Sequence, residues 1–309
     1  MNESNLIKLV RTRQKRIESF VCFNLLPCGV FPAIRRNRLF REWLRLPMNY
    51  VRIMELPLTL ELLEAKKNHK IMDISSPKLL ALYMSVMGYK NMTISDISDY
   101  FVDDFKQYLE VFHIKPDIKI FDAKTIPCEP NMFDRIFSIS VLEHIPYKGD
   151  IEAVREAARI LKPGGIFVFT LPAYKMYIEE WLRKPSFYWP SIINKEGFTF
   201  YHRRYDDASI RERFNNLGFN IEDVVYIAEY PIAEPVINEN GMLLHNMYYF
   251  DDYIKTKATW KFLNKLAPKV PILSYLIHRF FSQKYHYLTR DGKDLNIRQV
   301  AVKLRKMTA

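Results

Sequence analysis

The chain has 309 residues, 49% hydrophobic and 26% charged, an ordinary balance for a soluble globular protein and enough to bury a sizeable core. Its nine glycines fall well below the usual roughly 7%, which argues against the glycine-rich, phosphate-cradling loops of a nucleoside triphosphate enzyme. Three cysteines (Cys22, Cys28 and Cys128) form neither a CxxC pair nor an even framework, so a reducing, cytoplasmic setting and no bound metal are expected.

The net charge of +11 is unevenly spread: residues 1–48 carry +7, residues 253–309 carry +11, and the stretch between them carries −7. Two basic ends on an acidic centre do not describe a uniformly basic nucleic-acid binder, so nucleic acid is an unfavoured partner. The ends suit an anionic surface such as phospholipid, or plain solvation.

In chain order, residues 1–65 read as a basic helical extension. Residues 6–20 are amphipathic and basic, 20–34 are apolar but interrupted by Asn24, Pro27 and Pro32, and 35–46 form a second basic helix. Leu56, Leu60 and Leu63 then recur at helical spacing and lead into the core. The 20–34 run is shorter than the ~17–25 residues of a bilayer span. No A-x-A-like cleavage site accompanies the basic stretch 8–16, so a signal peptide is not expected either.

Residues 66–228 read as an α/β core. Strands are predicted at 70–74, 92–96, 118–121, 133–138, 166–170 and 219–227, and helices at 77–87, 100–112, 150–161 and 207–217. Strand-length apolar runs alternating with helix-period segments indicate parallel βαβ units. Two insertions remain. Residues 173–205 are rich in Tyr, Trp, Phe and Arg and follow the fifth strand. Residues 229–295 are too long for a structureless loop, so helices are expected there, at 253–266 and 272–282. The lysine-rimmed apolar faces of these helices suit either a membrane interface or a lid on the sheet. Residues 296–309 supply a last strand, with Ile297, Val300, Val302 and Leu304 as its apolar positions.

Ligands of open α/β sheets sit beyond the carboxyl ends of the strands, where Asp96, Asp122 and residues 138–144 fall. An acid closing the second strand can accept ribose hydroxyls, and Asp96 stands there. Neither GxGxxG nor a P-loop is present.

Residues 118–172 also carry a resemblance. Asp122-Ala123 follows the third strand, Phe133-Asp134-Arg135-Ile136 opens the fourth, and Val141-Leu142-Glu143-His144 follows it. Leu161-Lys162-Pro163-Gly164-Gly165 then precedes the fifth strand. In this order the run resembles the class I S-adenosylmethionine-dependent methyltransferases, over residues 69–228 plus the last strand. The resemblance implies a Rossmann-like, seven-stranded, mostly parallel sheet with an antiparallel last strand. It also implies S-adenosyl-L-methionine as cofactor, held by Asp73, Ser75, Ser76, Asp96, Ile97, Asp122, Ala123, Ser138 and Ser140.

One departure is plain: the family's glycine-rich first loop is replaced by Asp73-Ile74-Ser75-Ser76-Pro77. Small serines keep part of the room and add hydroxyls for the cofactor carboxylate, while Asp73 holds its amino group or orders the loop. The implied reaction is methyl transfer to a small, glycan or lipid-linked acceptor. His144 and His202 are the candidate bases. Tyr201, Arg203 and Arg204 are placed to clamp a carboxylate or phosphate, or else they pack to anchor the insertion. Glu143 is expected to pair with a nearby cation. A non-catalytic binding protein on the same fold, and an RNA-modifying enzyme, are the alternatives.

Overall fold

The computed structural model describes residues 2–182, 193–194, 197–230, 266, 270 and 272–308. The apolar runs form strands β1 (Lys70–Ile74), β2 (Asn91–Asp96), β3 (Asp117–Ile120), β4 (Phe133–Ile139) and β5 (Leu161–Pro172). Strands β6 (Ile178–Leu182) and β7 (Thr199–Arg204) pair apart as a hairpin. Then come β8 (Phe219–Glu229), β9 (His286–Thr289) and β10 (Ile297–Lys306). The central sheet runs β3-β2-β1-β4-β5-β10-β8-β9. The first five strands are parallel, whereas β10 lies antiparallel between β5 and β8.

Two-residue alternation divides the sheet's side chains between two cores. Ile71, Ile94, Phe137, Ile139 and Val168 face one side, and Met72, Ile74, Ile136, Phe167 and Phe169 the other. The first side is covered by helices α1 (Glu3–Phe20), α4 (Arg52–Leu62), α5 (Lys78–Val86) and α6 (Val102–Phe112). The second is covered by α7 (Gly149–Ile160) and α8 (Asp207–Phe214). The N-terminal residues are therefore part of the core: Leu6, Val10, Ile17 and Leu25 are fully buried in the same cluster as the sheet.

The structure differs from the sequence reading in four places. The sheet has eight strands where seven are expected, because β9 pairs with β8 through Tyr226↔Thr289 to Glu229↔His286. This strand comes from the stretch where only helices are expected, and it covers a sheet edge that would otherwise present unpaired amides. The helix expected over 253–266 lies, apart from Leu266, outside the described residues; the next one is α9 (Leu273–Tyr285), extending beyond 272–282.

The helix expected over 35–46 is broken into α2 (Pro32–Arg36) and α3 (Arg38–Arg45). Asn37 is the reason: its Oδ1 accepts from Phe40 N at 2.9 Å, and its Nδ2 donates to Asp104 O at 2.7 Å. Asp104 Oδ2 in turn accepts from the amides of Arg38 at 3.0 Å and Leu39 at 3.2 Å. The break docks α3 onto α6 at no loss of capping.

The Lys-Pro-Gly-Gly stretch, expected to precede the fifth strand, instead forms the irregular start of β5, and its glycine is required by space. A Cβ at Gly165 would meet Leu161 Cγ at 2.6 Å and Lys162 O at 2.8 Å. Among the described residues, no helix is long and apolar enough to cross a membrane.

Replacing Asn37 with Ala removes both the cap of α3 and the buried tie to α6. The expected loss is about 1–2 kcal/mol, read as a lowered urea midpoint with unchanged slope. An unchanged midpoint would show that the break in the helix has another cause.

Candidate active site

The crevice begins at the turn that leaves β1. Ser75 has φ +55°, the left-handed conformation that glycine takes easily and serine takes at a cost on the order of 1 kcal/mol. The backbone thus keeps the turn although the glycine is gone. Ser75 N donates to Ser95 O at 3.1 Å, and Asp73 Oδ1 accepts from Ser76 N at 3.0 Å. Ser76 is buried, and its Oγ accepts from Ile139 N at 3.0 Å, so that hydroxyl joins the turn to β4. Ser75 stays half-buried. Asp73 is fully buried, its Oδ2 has no hydrogen-bond partner, and burial pushes its carboxyl up to about 6 against the pull of Lys78. A buried acceptor lacking a donor suits an ammonium group.

Lys78 opens α5 and was missed in the sequence reading. Its Nζ lies 2.9 Å from Asp96 Oδ2, donates to Ser95 O at 2.9 Å and sits 4.5 Å from the centroid of the Phe101 ring. A lone lysine heading the apolar run 79–84 was the available signal. Asp96 keeps Oδ1, whose contact with Ser98 N is a long 3.4 Å, for a further donor. The residues thus fit a nucleoside with a ribose diol and an ammonium end, with one oxygen of Asp96 already taken.

Beside them Ile97 is 39% exposed, an apolar surface at the end of β2. Asp122 is half-buried and also acts as a turn former: its Oδ1 accepts from Lys124 N at 2.9 Å, and Ala123 is buried behind it. Ser138 is a correction. Its Oγ is fully buried and spends its proton on Ile74 O at 3.0 Å, stitching β4 to β1.

At the end of β4, Ser140 turns with φ +49° and meets a group from the N-terminal extension. Glu55 of α4 is fully buried. It accepts from Ser140 Oγ at 2.8 Å and Gln299 Nε2 at 2.8 Å, and from Thr170 Oγ1 and Arg52 Nη1. Arg52 also donates to Ser140 Oγ at 2.8 Å. Helix α4 and strands β4, β5 and β10 are thereby tied at a single point. An acid inside the apolar run 53–60 was the sequence signal for it.

Next along the edge, His144 is held with Nδ1 2.8 Å from Tyr201 O, which places the ring proton on Nδ1 and makes Nε2 the acceptor. Burial lowers its pKa to about 4. Glu143 does not pair with a cation as expected. It is 1% exposed with Oε2 unpartnered, its Oε1 lies 3.9 Å from His144 Nε2, and burial raises its carboxyl to about 8.

The aromatic–basic cluster of the first insertion forms β7, and its charges turn inward. Arg203 is fully buried and donates to Ile145 O at 2.7 Å and Tyr147 O at 2.5 Å, with Glu179 at 3.1 Å. Arg204 pairs with Glu180, which also accepts from His202 Nε2 at 2.9 Å. These contacts overturn the expected carboxylate or phosphate clamp, and they commit His202 to Glu180 instead of to a substrate proton. Tyr201 remains half-buried, with its ring 5.5 Å from that of His144.

Residues 75–169 match the family profile of the methyltransferase domain. Among solved structures, the YcgJ protein of Bacillus subtilis is 16% identical, covering 82% of this chain and 99% of its own, with a TM-score of 0.50. The [4+2]-cyclase SpnF is 16% identical over 84% of this chain and 83% of its own, with a TM-score of 0.47. The geranyl diphosphate C-methyltransferase of Streptomyces coelicolor was solved with Mg2+, geranyl diphosphate and S-adenosyl-L-homocysteine. It is 9% identical over 82% of this chain and 78% of its own, with a TM-score of 0.48. Among curated proteins none matches this chain.

Glu143 sets a pH dependence of stability. Between its ordinary 4.5 and about 8, the folded chain keeps a proton that the unfolded chain releases. Its contribution is fully present below pH 4.5 and is lost as pH rises toward 8, at a limiting slope of about 1.4 kcal/mol per pH unit. Asp73 adds a smaller loss of the same sign, complete by about pH 6. Thermal melts from pH 5 to pH 8 should show wild type falling and Glu143→Gln falling less, so parallel curves would refute the buried-acid assignment.

Proposed function

We propose that this chain, whose residues 75–169 match the methyltransferase domain profile, is a class I S-adenosylmethionine-dependent methyltransferase, and that it methylates a hydroxyl-type acceptor that is small or carried on a saccharide or lipid. One observation carries the reading: Asp73 Oδ2 and Gln299 Oε1 are buried acceptors with no donor, and the Glu143 carboxyl is likewise without a partner on Oε2. Asp73 closes β1, while Gln299 and the Glu143 turn adjoin Ser140 and Glu55 at the ends of β4 and β5. Acceptors left unsatisfied in this way favour ligands that bring N–H and O–H groups, an ammonium at Asp73 and a hydroxyl at Gln299, and a hydroxyl can also exchange hydrogen bonds with a neutral Glu143 carboxyl. They do not favour a carboxylate or phosphate, and neither do the occupied guanidiniums of Arg203 and Arg204.

S-adenosylmethionine supplies an activated sulfonium methyl when bound. Asp73 takes its ammonium end. Ser75 and the amino end of α5 face its carboxylate. Asp96 receives one ribose hydroxyl through Oδ1, and Ile97 with Asp122-Ala123 lines the adenine. His144 is neutral at pH 7 and presents Nε2 as the acceptor for a hydroxyl proton. Orientation supplies most of the remaining rate, up to ~7–11 kcal/mol in good cases. Tyr201 walls the acceptor side, and Ser140 is held by Glu55 and Arg52 at the carboxyl end of β4.

The Lys78–Asp96 pair favours a second reading, in which the fold binds a ligand without transferring a group, because the ribose acid is already neutralised. Calorimetric titration with S-adenosylhomocysteine decides between them. Binding is expected, weakened at least tenfold in Asp73→Ala and in Asp96→Ala, from loss of hydrogen bonds to charged groups worth ~1.5–3 kcal/mol each. Absence of heat in the wild-type chain rejects the enzymatic reading; unchanged affinity in both variants rejects these ligand assignments.

A further inference from the structure

The N-terminal extension holds a second feature at the opposite edge of the sheet from the crevice. Between α1 and the turn joining α5 to β2 lies a groove of ≈ 550 Å3, lined among others by Arg16, Phe23, Lys67, Tyr83 and Tyr89. Lys67 lies shortly before β1 (Lys70–Ile74) and Tyr89 shortly before β2 (Asn91–Asp96), so the groove opens at the amino ends of the strands.

Beyond it, α1 continues through a π turn (Val21–Leu25) and a 3-10 turn (Leu26–Val30) before the chain reverses into α2. Phe23 falls on the helical face opposite Val21 and Leu25, which are buried, and is itself 78% exposed. Val30 is 77% exposed and Phe31 48% exposed at the tip of the same rod. Three large apolar side chains within nine residues are thus presented to solvent.

The charge around them has one sign. Lys15, Arg16, Arg35, Arg36 and Arg41 are exposed, and among the described residues none makes an ion pair. The one acid between residues 15 and 41, Glu18, is taken inward by Arg279 at 2.8 Å and Tyr275 at 2.6 Å. Apolar tips surrounded by unpaired cations match the two signals that together hold a protein on an acidic bilayer. A phosphate backbone alone would use the cations and leave Val30 and Phe31 without a role. The acidic balance of residues 49–252 keeps that stretch from competing for the same surface.

We propose that this face docks peripherally on an anionic phospholipid membrane. Phe23, Val30 and Phe31 enter the acyl boundary while Lys15, Arg16, Arg35 and Arg36 meet headgroup phosphates.

The full chain is sedimented with vesicles of phosphatidylcholine alone and with about 30% phosphatidylserine added. Binding is expected only to the anionic vesicles and should fall steeply in about 0.5 M salt. The triple variant Phe23→Ser, Val30→Ser, Phe31→Ser should lower partitioning at least tenfold, and so should Lys15→Ala, Arg16→Ala, Arg35→Ala, Arg36→Ala together. All seven positions are exposed, so thermal melts and S-adenosylhomocysteine titration should stay at wild-type values, separating this proposal from the function assigned to the crevice. No pelleting with anionic vesicles overturns the proposal. So does pelleting that survives the triple serine variant, or retention of a mixed RNA oligonucleotide in place of vesicles.

Discussion

The buried carboxylate of Glu55 is the constraint on which the rest of the crevice depends. It is carried by a helix that precedes the first strand, yet it accepts hydrogen bonds from Ser140 beyond β4, Thr170 on β5 and Gln299 on β10. A buried acid is costly unless its lone pairs are filled and its charge is opposed. Here both conditions are met, with Arg52 one helical turn away as the counter-charge. The arrangement makes α4 part of the site's construction. It fixes the left-handed turn at Ser140 and brings β10, the last strand in the chain, to the same point as helices from its first quarter.

A similar logic governs the hairpin of the first insertion. Arg203 and Arg204 were natural candidates for substrate binding, because guanidiniums in an aromatic setting above a ligand edge suit anions. The fold uses them otherwise. Arg203 caps the carbonyls of Ile145 and Tyr147, which stabilises the loop carrying Glu143 and His144, and Glu180 binds Arg204 and His202 together. The hairpin therefore acts on the chemistry through position: it supplies Tyr201 O, which fixes the tautomer of His144. With its arginines neutralised, the neighbourhood of His144 is left with the unpartnered Gln299 Oε1 and the uncharged carboxyl of Glu143.

The substitution of serine for glycine in the first turn shows how backbone and side chain share the work. Ser75 adopts the conformation that glycine would have held, and the turn survives because Asp73 and Ser95 hold its amides. What changes is the electrostatics behind it. Lys78 enters under the turn and pairs with Asp96, so one carboxylate is spent on a cation while the other, Asp73, stays uncompensated on one oxygen.

The alternation of apolar strands with helical periods was local information, and it determined the parallel core, the position of the ligand edge and the placement of Asp96 and Asp122 along it. Each of these follows from side-chain periodicity within a few residues, which is why they were legible. The break at Asn37, the edge strand β9 and the cluster at Glu55 were not, because each depends on partners 57 to 244 residues away. Whether Ser138 faces a ligand or a neighbouring strand, and whether Arg203 faces a substrate or a carbonyl, was likewise decided only by tertiary packing. A polar side chain's role is set by which donors and acceptors end up beside it, and spacing along the chain does not encode that.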